Sequence, residues 1–299
     1  MHWVLTDGSR LRRGIERRQA HRCWCGRSRT RFARWEEAQR ANQARCDGPR
    51  DSTPVSHART LAPVSGNVHE ATVLAITPLA RGVVEWRFSL PAPLHFQPGQ
   101  FISVRVGDDS DGNAILRSYS IASSPDRSEI AIILKLVEGG VGSAWFSALA
   151  IGERVRFTGP MGFFVLELSH PGDLVFAATG VGITPVLPML EAALARTETG
   201  RIYLLWGNRD EADFFWRREL AELAHPRLQI RTFVSGRENP AQREAGRIVQ
   251  PLLTLVPVLQ RPTFYLVGNG AMIKDAKTSL VAAGMDRRRQ IRVEAFFDS

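Results

Sequence analysis

The run Leu174-Val175-Phe176-Ala177-Ala178-Thr179-Gly180-Val181-Gly182-Ile183-Thr184-Pro185 decides the architecture of the second half of the chain. Its first five residues are apolar without alternation, as in a strand buried on both faces. Two glycines then permit a tight turn. Thr184 is placed to cap a helix, and Pro185 suits its first position. Gly180 and Gly182 let backbone come close to a ligand, and the N–H groups and positive end of a helix start attract an anion such as a pyrophosphate. G-x-G alone also fits an ordinary tight turn. Pro185 stands where the last glycine of G-x-G-x-x-G would fall, so the motif is incomplete.

Beyond this run, strand and helix patterns alternate to the end of the chain. Strands are predicted at 202–206, 228–234, 264–267 and 291–294, and helices at 186–196, 211–223, 248–255 and 271–283. Buried strands alternating with amphipathic helices make a doubly wound parallel α/β sheet. Such a sheet binds ligands beyond the carboxyl ends of its strands. This domain is assigned residues 171–299.

Upstream the period changes to two. Val84, Trp86, Phe88 and Leu90 fall on one face, with Glu85, Arg87 and Ser89 opposite. Ile102/Val104/Val106, Ile130/Ile132/Leu134/Leu136 and Val155/Phe157 repeat the alternation. Turn-forming stretches at 91–93, 98–99, 108–113 and 159–160 separate the runs, and one short helix is expected at 143–149. Regular short strands of this kind make an antiparallel barrel or sandwich, assigned residues 68–170. The chain is thus read as an α+β protein of two domains.

Charge sets residues 1–67 apart. The chain of 299 residues has 39 Lys+Arg, 30 Asp+Glu and a net charge of +9. Fourteen arginines and six acids lie in residues 1–67, giving +8; the other 232 residues carry 25 basic and 24 acidic groups. The body is therefore near neutral and needs no polyanionic partner, so nucleic acid is not expected as its ligand. The leader has little apolar periodicity and reads as disordered, with one helix around 31–44. Three origins are open for it: an extension from an upstream start codon, a nucleic-acid-binding arm, or a targeting segment. All three cysteines, Cys23, Cys25 and Cys46, lie there. The body can hold no disulfide, and three cysteines cannot ligate a plant-type iron–sulfur cluster. His21 with Cys23 and Cys25 has an unusual spacing for zinc, and no metal site is expected. The longest uncharged run in the body, 174–190, is broken by two glycines and two prolines and is not a membrane span, so a cytoplasmic protein is expected.

Three motifs in the body carry chemistry. Arg117-Ser118-Tyr119-Ser120 puts a guanidinium that can fork onto a pyrophosphate on the same strand face as an aromatic ring able to stack on a flat heterocycle. Glu138-Gly139-Gly140-Val141-Gly142-Ser143 is a glycine-rich entry to the short helix. The G-x-G-I-T-P turn is the third. In this order and spacing they resemble the ferredoxin–NADP reductase family, and the resemblance covers residues 68–299. Pro98-Gly99-Gln100-Phe101, Gly159-Pro160-Met161-Gly162 and Gly268-Asn269-Gly270-Ala271-Met272 belong to it as well.

The resemblance implies an antiparallel FAD-binding β-barrel followed by an NAD(P)-binding domain. It implies that Arg117 holds the FAD pyrophosphate, Tyr119 packs on the isoalloxazine and Ser120 bonds near its N5. Lys135, Gly140, Gly142 and Ser143 would line the FAD phosphates and ribityl. Gly180, Gly182 and Thr184 would receive the dinucleotide pyrophosphate, and Gly268, Asn269 and Met272 would border the nicotinamide. Two departures stand out: Val267-Gly268 replaces the Cys-Gly of many relatives, and Gly180-Val181-Gly182 replaces Gly-Thr-Gly. The segment Val234-Ser235-Gly236-Arg237-Glu238, with Gly246-Arg247-Ile248, resembles the family's V-S-R-E and G-R-I pair with Gly236 inserted. Its arginines would bind the 2′-phosphate, and one charge-assisted bond of roughly 1.5–3 kcal/mol favours NADPH over NADH by about 10- to 150-fold. The terminal Phe296 or Phe297 would cover the flavin face that nicotinamide must reach, and Glu294 or Asp298 could supply a proton.

The function so implied is hydride transfer from NAD(P)H to FAD, followed by single-electron delivery to a ferredoxin or flavodoxin. The reductase component of a multicomponent oxygenase is the near alternative, and a non-catalytic nucleotide-binding module the distant one.

Overall fold

The computed structural model describes residues 67–297 apart from 126, 168–170, 197–199 and 237–246. The expected leader helix, the cysteines, Arg237 and Asp298 lie outside the described residues.

The first domain contains β1 (Val68–Ala80), β2 (Val83–Ser89), β3 (Phe101–Asp108), β4 (Ala114–Ser120), β5 (Glu129–Lys135) and β6 (Arg154–Met161). Their order is β4-β3-β6-β1-β2-β5, and every pairing is antiparallel. The two edge strands meet at one point, where Ile121 bridges Ile132 and the Ala122 N–H donates to the Ala131 carbonyl. The sheet is thus drawn round into a barrel. Val84, Trp86, Phe88, Ile102, Val104, Ile130, Ile132 and Phe157 are buried inside it, the faces that alternation selected. Helix α1 (Val141–Ser147) starts two residues before the expected position. Its Phe146 plugs the barrel edge-on to both Trp86 and Tyr119, at centroid distances of 5.0 and 4.7 Å.

The second domain has β7 (Leu174–Thr179), β8 (Ile202–Asn208), β9 (Leu228–Val234), β10 (Thr263–Asn269) and β11 (Ile291–Phe297) in the order β11-β10-β7-β8-β9, all parallel. The chain runs out from β7 to β9 and returns to β10 on the other side. The order therefore reverses between β7 and β10, the place where such sheets open a binding crevice. Helices α2 (Val186–Leu194), α3 (Arg217–Glu222), α4 (Val249–Leu255) and α5 (Gly270–Ala282) cover the two faces.

Two local expectations are corrected. The helix expected over 211–223 is only a 3₁₀ turn, Glu211–Asp213, followed by the short α3. Phe214, Phe215 and Trp216 are all buried, and three successive side chains cannot share one helix stripe. The chain leaves helical geometry to bury them, and Trp216 turns to φ 60°. Nor does Thr184 cap α2. Winding begins at Gly180 as a 3₁₀ turn, Gly180–Ile183, so Thr184 is already in helical geometry. Its hydroxyl points back and donates to the Val181 carbonyl at 2.6 Å.

The domains share a core. Val83, Ala131, Ile133 and Phe164 from the first pack in one cluster with Phe176, Ile183, Val186 and Tyr265 from the second. Strand β5 is consequently buried on both faces, Ile130 and Ile132 toward the barrel and Ala131 and Ile133 toward the second domain. This fixes the crevice edge of the parallel sheet against the barrel.

Candidate active site

Beyond the Ile121–Ile132 bridge, β4 and β5 diverge. The seam between them opens into a cavity of about 560 Å³. Arg117, Ser118, Tyr119 and Ser120 form one wall, Ile133, Leu134 and Lys135 the other, and Gly140, Val141, Gly142 and Ser143 the helix end. The second domain closes it with Val181, Glu294, Ala295 and Phe296. Nine residues expected at a site thus line one cavity: Arg117, Tyr119, Ser120, Lys135, Gly140, Gly142, Ser143, Glu294 and Phe296.

The wall is held by specific contacts. A Cβ on Gly142 would lie 2.3 Å from the Tyr119 hydroxyl, so only glycine lets the helix close on that ring. The Ser143 hydroxyl accepts from the Val137 N–H at 2.8 Å and ties the glycine-rich loop to the helix. Burial pushes the Tyr119 hydroxyl up to about 12, partly opposed by Arg117, so the ring is neutral at physiological pH. Arg117 is exposed along the cavity, its guanidinium bonded to the Leu116 carbonyl at 2.9 Å.

Ser120 is buried and donates to Glu294 Oε1 at 2.9 Å, across the domain boundary. Burial raises the Glu294 carboxyl to about 7, with the serine hydrogen bond acting in the opposite sense. A carboxyl with that pKa both holds and releases a proton near neutral pH. The sequence marked Glu294 only as a possible proton source; its contact with Ser120, 174 residues away, needed the fold.

The second group of expected residues gathers at the crevice between β7 and β10. A Cβ on Gly182 would lie 2.8 Å from Gly268 Cα, so the two glycine turns touch through backbone. The Asn269 N–H donates to Thr179 Oγ1 at 2.9 Å, and Asn269 Oδ1 accepts from the Met272 N–H at 3.1 Å, capping α5. Gly180, Gly182, Gly268 and Asn269 are brought together here. Thr184 is 1% exposed with its hydroxyl occupied, and the Met272 side chain packs against the Val175 and Ala177 side of the sheet. Thr184 thus has no exposed side chain to offer the crevice, and Met272 is half-buried.

Arg247 is exposed at the end of β8, where the following Ile248 packs against Gly207. Arg209 lies at the same corner, its carbonyl accepting from the Gly236 N–H at 2.8 Å. Arg209 follows β8 and lies outside the V-S-G-R-E and G-R-I stretches, so no motif marks it in the sequence.

Residues 70–166 match the oxidoreductase FAD-binding domain family, and residues 176–278 the oxidoreductase NAD-binding domain family. The ferredoxin–NAD(P)(+) reductase component of the naphthalene 1,2-dioxygenase/salicylate 5-hydroxylase systems of Ralstonia sp. is 30% identical over 77% of this chain and 69% of its own length. The chain belongs to the ferredoxin–NAD(P) reductase family. Ferredoxin–NADP reductase B of Sorangium cellulosum is 35% identical over 54% of this chain and 67% of its own. The crystal structure of a Neisseria gonorrhoeae ferredoxin–NADP⁺ reductase with bound FAD and NADP superposes with a TM-score of 0.65 at 25% identity, covering 77% of this chain and 99% of that one.

The chain is therefore an oxidoreductase with an FAD-binding barrel and an NAD-binding α/β domain. Its residues fit both groups. The β4–β5 cavity offers an aromatic ring, a guanidinium and a glycine-rich helix entry, and the crevice offers bare backbone at two touching glycine turns. Among the described residues, no helix is long and apolar enough to cross a membrane.

Proposed function

We propose that this reductase draws electrons from NADPH and delivers them one at a time to an acidic iron–sulfur ferredoxin. The observation that carries the reading is the cavity itself, where the FAD-type residues of the barrel meet Val181 and residues 294–296 of the NAD-binding domain. FAD held there would supply hydride acceptance and single-electron release. The chain's own residues do the rest. Arg117 would hold the FAD pyrophosphate, Lys135, Gly140, Gly142 and Ser143 would line its phosphates and ribityl, and Tyr119 would present its ring to the isoalloxazine. Gly180 and Gly182 leave backbone N–H groups to a pyrophosphate, and Gly268 and Asn269 border the nicotinamide. Phe296 lines the cavity from the second domain and would have to yield to the nicotinamide, a gating step. Glu294, whose Oε1 accepts from the Ser120 hydroxyl, holds or releases a proton at the cavity wall. Arg237 and Arg247, joined by Arg209, supply the preference for the 2′-phosphate. The setting expected from the sequence, the cytoplasm, is kept in this reading.

The acceptor's approach is supported by a groove of about 1030 Å³ between the domains, which shares Phe101 and Glu294 with the flavin cavity. Arg287, Arg288 and Arg292 line it, and Phe163 stands in it 96% exposed. Cationic groups around an apolar ring suit an acidic protein that docks transiently. The body as a whole is near neutral, so this attraction is local.

The Ralstonia relative favours a second reading, in which the ferredoxin then feeds an oxygenase. Both readings share the immediate acceptor. The test is NADPH-driven reduction of a purified acidic [2Fe–2S] ferredoxin, with ferricyanide as a small control acceptor and a flavodoxin as the alternative. The double variant Arg287→Glu/Arg288→Glu should raise the KM for ferredoxin about tenfold or more, since each charge reversal acts on encounter, and leave ferricyanide reduction intact. Ferricyanide reduction without any ferredoxin reduction would remove the proposed acceptor.

A further inference from the structure

We propose that Trp206 is a positioning residue for the nicotinamide dinucleotide, acting by fixing the direction of one peptide unit in the Gly180 turn. The inference rests on the reductase reading above, in which that turn receives the pyrophosphate.

Trp206 sits in β8, in register with Ala178 of β7, and is fully buried. A buried indole N–H needs an acceptor. It finds the Gly180 carbonyl at 3.0 Å, a backbone oxygen on the neighbouring strand's turn. Gly180 has φ +56°, and nothing lies within 4 Å of where its Cβ would be. No side chain therefore packs over Gly180 on that side. A glycine there populates both signs of φ readily, so beyond the 3₁₀ turn's own hydrogen bonds its flanking peptide units depend on what reaches them from outside.

The indole hydrogen bond adds a restraint from outside the turn. The Gly180 carbonyl and the Val181 N–H belong to one planar trans peptide unit, and their bonds point in opposite directions. Drawing the carbonyl inward to the buried indole turns the Val181 N–H outward. Val181 is the second residue of the 3₁₀ turn, so its N–H has no acceptor within that turn. It also lines the cavity that Tyr119 and Phe296 enclose. One inward hydrogen bond thus presents one outward donor to an anion.

The aromatic residues that interrupt the helix expected at 211–223 complete the device. Phe214 and Phe215 meet the Trp206 ring edge-on, at centroid distances of 4.9 and 5.3 Å and interplanar angles of 86° and 82°. They lock the indole in the rotamer that reaches Gly180. The buried aromatic run thereby has a role beyond filling the core.

The test uses the full-length FAD-loaded protein and two variants. Trp206→Phe keeps a ring for Phe214 and Phe215 but removes the N–H. Leu220→Ala loosens the same hydrophobic cluster from α3 without touching the hydrogen bond. Binding of NADP⁺ is read by calorimetry, and NADPH oxidation with ferricyanide gives KM and kcat separately. Loss of one neutral hydrogen bond should weaken NADP⁺ binding and raise the NADPH KM by about 3- to 10-fold in Trp206→Phe. Its FAD content should be unchanged and its kcat at saturation within about twofold, because the ring alignment is set elsewhere. Leu220→Ala should lower Tm and leave the NADP⁺ Kd unchanged. An unaltered Kd in Trp206→Phe, or an equal weakening in Leu220→Ala, would overturn the proposal. Wild-type protein that binds FAD but no NADP(H) would overturn the reductase reading, and this inference with it.

Discussion

The two halves of the site are built from different materials. In the β4–β5 seam the chemistry sits on side chains, namely the Arg117 guanidinium, the Tyr119 ring and the Ser120 hydroxyl bonded to Glu294. At the β7–β10 crevice it sits on backbone, where Gly182 and Gly268 touch and the nearest capping side chain, Asn269, serves its own helix. A seam between diverging strands presents every second side chain to one cavity. The carboxyl edge of a parallel sheet presents turns and helix starts. The first site should therefore fail when a side chain is shortened or pushed aside, and the second when backbone is forced away from backbone.

The largest effects test that contrast directly. Gly182→Ala places a methyl 2.8 Å from Gly268 Cα and 2.9 Å from the Val267 carbonyl, atoms that cannot move cheaply. NADPH oxidation should fall about 100-fold, the scale of a few kcal/mol of overpacking, with FAD still bound. Gly142→Ala should do the reverse, forcing Tyr119 from its place and lowering FAD occupancy while the NADP⁺ site survives. Visible spectra and NADP⁺ calorimetry separate the two. FAD lost from both variants would erase the distinction.

Arg117→Ala should weaken FAD by about 10- to 150-fold, the worth of one charge-assisted hydrogen bond, in an apoprotein titration with FAD. Arg237→Ala/Arg247→Ala should shift the NADPH/NADH ratio of kcat/KM by at least about tenfold while leaving NADH turnover intact. An unchanged ratio would leave 2′-phosphate recognition to Arg209 or to no arginine at all.

The smallest effect belongs to Glu294→Gln. Hydride transfer needs no general acid, so kcat should fall by no more than about tenfold. The pH profile should change more clearly. Burial raises the Glu294 carboxyl from 4.5 to about 7, so between those values the folded protein binds more protons than the unfolded chain. Stability tied to this group is present below about pH 4.5 and is lost as pH rises toward 7. Wild-type kcat should inflect near pH 7, and Tm should decline across the same window. In the Gln variant both features should flatten. An inflection that survives in Glu294→Gln would assign it to another group.

The fold was legible because burial follows period. Strands β7, β8 and β10 are apolar without interruption, and β2 and β3 alternate; each pattern matches where its side chains go. Local signals failed where tertiary packing overrode them. Phe214, Phe215 and Trp216 broke the helix expected over 211–223, because all three are buried. Thr184 lost its cap because the turn before it already wound as 3₁₀. Of the candidate site, residues close in sequence were readable as motifs. Contacts between distant segments were not: Ser120 with Glu294, Trp206 with Gly180, and Arg209 with Gly236 depend on which strands become neighbours.

The central claim is that one chain holds FAD in the barrel seam and reduces it from the neighbouring crevice. The most direct measurement is the visible spectrum of the full-length protein supplied with FAD, followed by anaerobic addition of NADPH. The account predicts flavin absorption bands that bleach on adding NADPH and return on adding an oxidised acceptor. A colourless protein that takes up no FAD, or a bound flavin that neither NADPH nor NADH bleaches, would contradict it.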